Sequence, residues 1–187
     1  MAKSEIIEKE IIPKGKCYVI CKDLEGESFL EEANRRCKDA YTATEIELIG
    51  LSNDNRYEYM NYHNDAFFDV PNSMTIDDDE INLILEDSAV EAGLLCINNE
   101  AIGTYHLDFS EENPEIASIS INNNIQGKGY GVLALKTLEE YLYYKGYKEV
   151  FLRVATLNEN AYALYKKSEY KYLKRFSRWF LVRKKLT

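Results

Sequence analysis

Three glycines at alternate positions, Gly127, Gly129 and Gly131, stand between a strand-like stretch and a helix. Residues 115–122 read as the last strand of an antiparallel meander. After the glycines, Val132, Leu135, Leu138 and Leu142 form one helical stripe, which ends before Gly146. A helix begun in this way leaves backbone N–H groups unpaired and carries partial positive charge at its start. The glycines either start the helix tightly or let the backbone approach phosphate oxygens, where a β-carbon would intrude. Lys128 adds positive charge at the rim. The spacing matches neither the dinucleotide fingerprint Gly-x-Gly-x-x-Gly nor the P-loop pattern ending in Gly-Lys-Ser/Thr.

The remaining segments are consistent with this junction. Residues 16–22 read as a strand, and Glu27 to Tyr41 as a helix with Phe29, Leu30, Ala33 and Cys37 on one stripe. Glu45 to Leu51 is strand-like. Asn53-Asp54-Asn55 offers a cap for a helix over Tyr57 to Phe68, which Pro71 ends. The acidic run Asp77 to Glu80 suits a second helix N-terminus, with the helix reaching about Glu86. Strands follow at Ala92 to Ile97 and Ala101 to Phe109, joined by Asn98-Asn99. Beyond the glycine-led helix come a strand from Val150 to Leu157, a helix over Glu159 to Ser168 capped by Asn158, and a closing hairpin from Tyr170 to Leu186.

Composition excludes some classes of function. At 187 residues with 45% hydrophobic and 29% charged side chains, the chain is of ordinary globular type. No apolar run approaches the ~20 residues that span a bilayer, so no membrane partner is expected. Met1 to Glu5 leads into mixed charge without an apolar signal region, and a cytoplasmic protein is expected. The net charge of −9 argues against nucleic acid as a partner, although residues 145–187 hold 12 Lys and Arg against 3 Asp and Glu. Four cysteines and two histidines at these spacings match no strong zinc pattern, so reduced thiols and no metal are expected.

Gln126-x-x-Gly129-x-Gly131, after a strand and opening an amphipathic helix, resembles the acyl-CoA signature of the GNAT superfamily of N-acetyltransferases. Gly146-Tyr147, the strand from Val150, and Asn158-x-x-Ala161-x-x-Leu164-Tyr165 resemble that family's second recognisable stretch. The resemblance covers residues 91–172, extends in weaker form from residue 45, and leaves residues 1–42 uncovered. It implies an α/β fold with a mixed, mostly antiparallel sheet flanked by helices. In domain terms it implies an N-terminal β-α extension over residues 1–42 and an acyl-CoA N-acyltransferase domain over residues 43–187. One departure stands out: Glu169-Tyr170 occupies the place of the family's Gly-Phe pair, so the turn after the helix is expected to differ.

The resemblance further implies acetyl-CoA (coenzyme A) as cofactor, with the backbone of Gln126, Gly127, Lys128, Gly129, Tyr130 and Gly131 on its pyrophosphate. Ile119 and Ile121 would pair with pantetheine where their strand splays from the next parallel one, and Asn158 would bind the cofactor arm. Tyr165 would sit beside the sulfur and return a proton to it, and Glu115 resembles the catalytic glutamate of the histone-type branch. Both have plainer readings, Tyr165 as a packed aromatic and Glu115 as an exposed turn residue; His106 and His63 are rival bases. Abundant acid over residues 65–91 suits a cationic acceptor amine, a small molecule or a peptide. A non-catalytic acyl-CoA-binding regulatory module is the alternative, and a structural or interaction protein in which residues 1–42 dock a partner or form a homodimer is a third reading. Acetyl-CoA at one hundred times its dissociation constant should stabilise the fold by ~2.7 kcal/mol. Thermal melts check this, and bulky residues at Gly129 and Gly131 should abolish the shift.

Overall fold

The computed structural model describes residues 17–23, 45–70, 75–155, 158–176 and 179–182. The helix expected over Glu27 to Tyr41 and the break expected at Pro71 lie outside these residues. The strands are β1 (Cys17–Asp23), β2 (Glu47–Gly50), β3 (Val90–Ile97), β4 (Glu100–Asp108), β5 (Glu115–Ile121), β6 (Glu149–Ala155), β7 (Lys171–Phe176) and β8 (Trp179–Val182). Among the described residues four helices join them: α1 (Arg56–Phe67), α2 (Asp78–Glu86), α3 (Tyr130–Tyr144) and α4 (Glu159–Lys167). The strands form one sheet in the order β2-β3-β4-β5-β6-β1-β7-β8. All its neighbouring pairs are antiparallel except β5–β6, and the extra β1–β8 pairing is parallel as well.

Alternation along each strand divides the core between two faces. On one face, Leu135, Leu138 and Leu142 of α3 pack with Ile116, Leu152 and Val154, and with Tyr165 of α4. On the other, Tyr59 of α1 and Ile81 of α2 cover Ala92, Leu94 and Cys96. Asn98 and Asn99 turn β3 into β4 with φ of 51° and 65°, the left-handed pair that a two-residue hairpin requires. β1 of the N-terminal segment lies within the sheet and matches β6 over its whole length, from Cys17 opposite Ala155 to Asp23 opposite Glu149.

Two helix starts differ in detail from the sequence reading. Asp77 caps α2 through a full capping box with Glu80, so the acidic run acts through specific hydrogen bonds as well as through the helix dipole. Asn55 precedes α1 but does not cap it: its Oδ1 accepts from Ser52 N at 2.8 Å and its Nδ2 donates to Gly50 O at 2.9 Å. That side chain instead secures the end of β2.

The turn after α4 corrects an expectation. Glu169 takes φ of 66°, the left-handed conformation that glycine would supply. Tyr170 N donates to Tyr165 O at 3.0 Å and Glu169 N to Lys166 O at 3.2 Å, which together make a Schellman cap. The turn therefore keeps the geometry expected of a glycine, at a cost of about 1–2 kcal/mol for the β-carbon. Packing holds it there, because Tyr170 is buried and its ring lies 5.8 Å from that of Tyr165. Glu169→Gly should raise stability by roughly 1 kcal/mol and the melting temperature by about 2–4 °C, as a thermal melt would show.

Candidate active site

β5 and β6 run parallel for only two residue pairs, Glu115 with Phe151 and Ile116 with Leu152. Phe151 N also donates to Pro114 O at 2.9 Å, which closes this end. Beyond Ile116 the strands separate. The divergence coincides with a β-bulge: Ser118 pairs with His106 and Ile116 with Leu107, leaving Ala117 with no residue opposite. A bulge increases local twist and bends its strand, here away from β6.

Asn122 N donates to Ile102 O at 2.8 Å, so by alternation the backbone groups of Ser120 and Ser118 face β4. Those of Ile119 and Ile121 then face the gap. They form the free strand edge that pantetheine pairing needs, although the Ile121 carbonyl already accepts from Gln126 Nε2 at 2.8 Å.

The glycine loop lies at the open end of the gap. After a 3-10 turn at Asn123–Ile125, Gly127 and Gly129 take φ of 76° and 91°. Both positions therefore demand glycine for conformation, and a β-carbon at Gly127 would meet nothing within 4 Å. Gly129 is the N-cap of α3 and, being a glycine, offers the helix no side-chain cap. Gly131 is different: a β-carbon there would lie 3.5 Å from Leu164 Cδ2 of α4, an ordinary contact, so neither space nor backbone conformation demands glycine at this position. Because Gly129 is held at a left-handed φ, bulk introduced there strains the fold, and Gly131 is the cleaner site for blocking a ligand. Gln126 turns inward, giving Nε2 to Asn123 Oδ1 at 2.7 Å as well as to Ile121 O. Its side chain thus braces the loop. Lys128 is exposed and Tyr130, the first residue of α3, is half-buried.

α4 carries two expected residues. Asn158 accepts Ala161 N at 3.0 Å as the helix cap, which leaves its Nδ2 as the donor for other use. Tyr165 is buried, and burial pushes its hydroxyl up to about 12, so it stays protonated near neutrality.

Glu115 stands at the closed base of the gap. It is half-buried, with Oε2 3.0 Å from Arg153 Nη2. Burial raises its carboxyl to about 7; Arg153 pulls it down and Asp108, opposite on β4, pushes it up. A carboxyl balanced there changes protonation near neutral pH and suits a general base. His106 is half-buried opposite Ser118, and burial lowers it despite Asp108 and Asp87, so its imidazole is neutral near pH 7. His63 is buried within α1, its ring 6.0 Å from Tyr59 and 4.6 Å from Phe67. That environment makes it a packed core residue.

Sequence reasoning missed Arg153 and the Ala117 bulge. Arg153 was signalled by alternation, as the polar position between the apolar Leu152 and Val154; the bulge has no local sequence signal.

The sequence model of the Acetyltransferase (GNAT) family matches residues 51–170. Curated protein sequences give no match. Among solved structures, an acetyltransferase from Thermus thermophilus is 18% identical with a TM-score of 0.63, over 74% of this chain and 94% of that one. The PaiA N-acetyltransferase of Thermoplasma acidophilum, in complex with coenzyme A, is 15% identical with a TM-score of 0.59, over 75% and 99%. An aminoglycoside acetyltransferase from an uncultured soil metagenomic sample, in complex with trehalose, is 17% identical with a TM-score of 0.52, over 66% and 87%. At these identities the likeness is one of fold.

The raised Glu115 carboxyl has a consequence for stability. Between its ordinary value of 4.5 and the value of about 7 in the fold, the native chain binds more protons than the unfolded one. Its contribution is therefore full below about 4.5 and is lost as pH rises through about 7. Thermal melts of Glu115→Gln and wild type should shift in favour of the variant between about pH 5 and about pH 8.

Proposed function

Because the chain belongs to the GNAT acetyltransferase family, we propose that it transfers an acetyl group from acetyl-CoA to a primary amine by direct attack in a ternary complex. The observation that carries this reading is the divergence of β5 from β6 after two pairs, with the free edge at Ile119 and Ile121 leading to an uncapped α3 N-terminus. Acetyl-CoA fits these residues: N–H groups at Gln126 to Gly131 for phosphate oxygens, a strand edge for amides, and Asn158 Nδ2 for the arm. When bound, acetyl-CoA supplies the acetyl group as a thioester.

The chain's own residues then supply alignment and proton transfers. The acceptor nitrogen forms the new C–N bond as the C–S bond breaks. Glu115 accepts the amine's proton, directly or through one water, and Tyr165 gives a proton to the departing sulfur. These two residues favour an enzyme over a regulatory acyl-CoA-binding module. Residues 65–91 carry nine Asp and Glu and no Lys or Arg, which favours a cationic acceptor, a small molecule or a peptide. In this reading residues 43–187 are the catalytic domain, residues 1–42 extend it with a strand and a helix, and the protein works in the cytoplasm. Among the described residues no helix is long and apolar enough to cross a membrane.

The test is acetyl transfer to an amine panel, followed as free thiol against pH. Wild-type turnover should rise through about pH 7, the Glu115 value. Glu115→Gln should lose that step and recover as high pH deprotonates the amine. Tyr165→Phe should lower kcat by up to ~10²–10⁴-fold with cofactor affinity retained. Wild-type pH profiles in both variants would remove these residues from the chemistry. No turnover with any amine, despite tight acetyl-CoA binding, would favour the regulatory module.

A further inference from the structure

Arg153 is the first residue of β6 past the last parallel pair, Ile116 with Leu152, and so stands where the β5–β6 gap begins to open. Leu152 and Val154 on either side of it pack with α3, which by alternation turns Arg153 toward the other face of the sheet. Glu115, next to the inward Ile116, faces the same way. The Arg153 side chain reaches back toward β5 and sets Nη2 3.0 Å from Glu115 Oε2. Its side chain is 40% exposed and that of Glu115 18%, so the guanidinium is the more open of the two to solvent.

That contact has the geometry an acceptor amine needs. A base takes a proton from a nitrogen held about 2.6–3.2 Å from its oxygen, directly or through one water. Arg153 Nη2 already lies at that distance, and a guanidinium, like an ammonium, presents only donors. An acceptor amine and Arg153 therefore compete for the same carboxylate oxygen. An ion pair with so exposed a partner exchanges readily. The charges that act on Glu115 are Arg153 from β6 and Asp108 from β4, and of the two only Arg153 favours the ionised form. Moving the guanidinium away leaves Glu115 opposite Asp108 across the β4–β5 pair, a setting that calls for a cation from outside.

We propose that Arg153 is a positioning residue that holds Glu115 in the resting site by standing in for the acceptor's ammonium, and that a cationic acceptor reaches the base by displacing it. This role rests on Glu115 being the base, and it adds a criterion for the amines that can use it. An amine that arrives as an ammonium replaces one cation by another at the same carboxylate. An uncharged amine has no charge to offer in exchange for the guanidinium, and Glu115 stays engaged.

Titration of the full chain with 1,4-diaminobutane tests the proposal, with coenzyme A present so that no transfer occurs. In wild type the diamine should shift the Arg153 Nε–H magnetic resonance signal saturably. At about pH 9, well above the Glu115 value of about 7 and with the amine still cationic, Arg153→Gln should bind it about two- to fivefold more tightly. In a Glu115→Gln background the same substitution should change affinity little, because the carboxylate competed for is gone; a general loss of repulsion would persist there. Without amine, the Glu115 carboxyl should titrate at higher pH in Arg153→Gln and return toward the wild-type value in Arg153→Lys. Should Arg153→Gln fail to fold, the Arg153 signal in wild type decides alone. The proposal is overturned by an unmoved Arg153 signal, by unaltered or weaker binding in Arg153→Gln, by equal tightening in both backgrounds, or by a Glu115 titration indifferent to Arg153. Failure of Glu115 as the base would show separately, as an unchanged pH–rate profile in Glu115→Gln.

Discussion

The two-pair parallel ladder between β5 and β6 organises the molecule. A longer ladder would pair the edge at Ile119 and Ile121 and close the gap; a shorter one would let the two halves of the sheet part. Three features hold the length at two. The bulge at Ala117 bends β5 away just past Ile116, and Phe151 N reaches back to Pro114 O to seal the closed end. β6 meanwhile meets β1 across all seven of its residues, so its other edge is fully engaged. The parallel neighbours are thus joined at one end and separate at the other, and Glu115 and the glycine loop occupy opposite ends of that wedge.

Much of this was legible in the sequence where the signal is local. The stripe of Leu135, Leu138 and Leu142, the Asn98-Asn99 hairpin and the Asn158 cap depend on residues two to four positions apart and form as the spacing implies, whereas Val132, expected on the same stripe, is exposed. The core faces were legible too, because alternation in β6 separates Leu152 and Val154 from Arg153. The less legible part depends on cross-strand register. Nothing local distinguishes a bulge at Ala117 from continuous pairing, and the contacts of Gln126 with Ile121 and Asn123 exist only once the loop is closed.

Glu169 shows a local rule yielding to packing. A left-handed C-cap favours glycine, and its absence suggested another turn. The buried contact of Tyr170 with Tyr165 and the two Schellman hydrogen bonds together outweigh the strain of one β-carbon. The aromatic pair is thus the more tightly constrained element of that corner, and the glycine is dispensable to its shape.

The bracing of the loop bears on the entropy of association. Gln126 is tied to Ile121 and Asn123, Asn122 Oδ1 accepts Asn124 N at 3.0 Å, and Asn123 Nδ2 donates to Asp65 O of α1 at 2.9 Å. Side chains already fixed in this way have little rotamer freedom left to lose when an anion docks, so less of the binding energy is consumed in ordering them. The Asn123–Asp65 bond also joins the loop to a helix on the opposite side of the sheet from α3 and α4. A rigid-body displacement of α1 would be transmitted to the loop through that single amide, making the two mechanically one part.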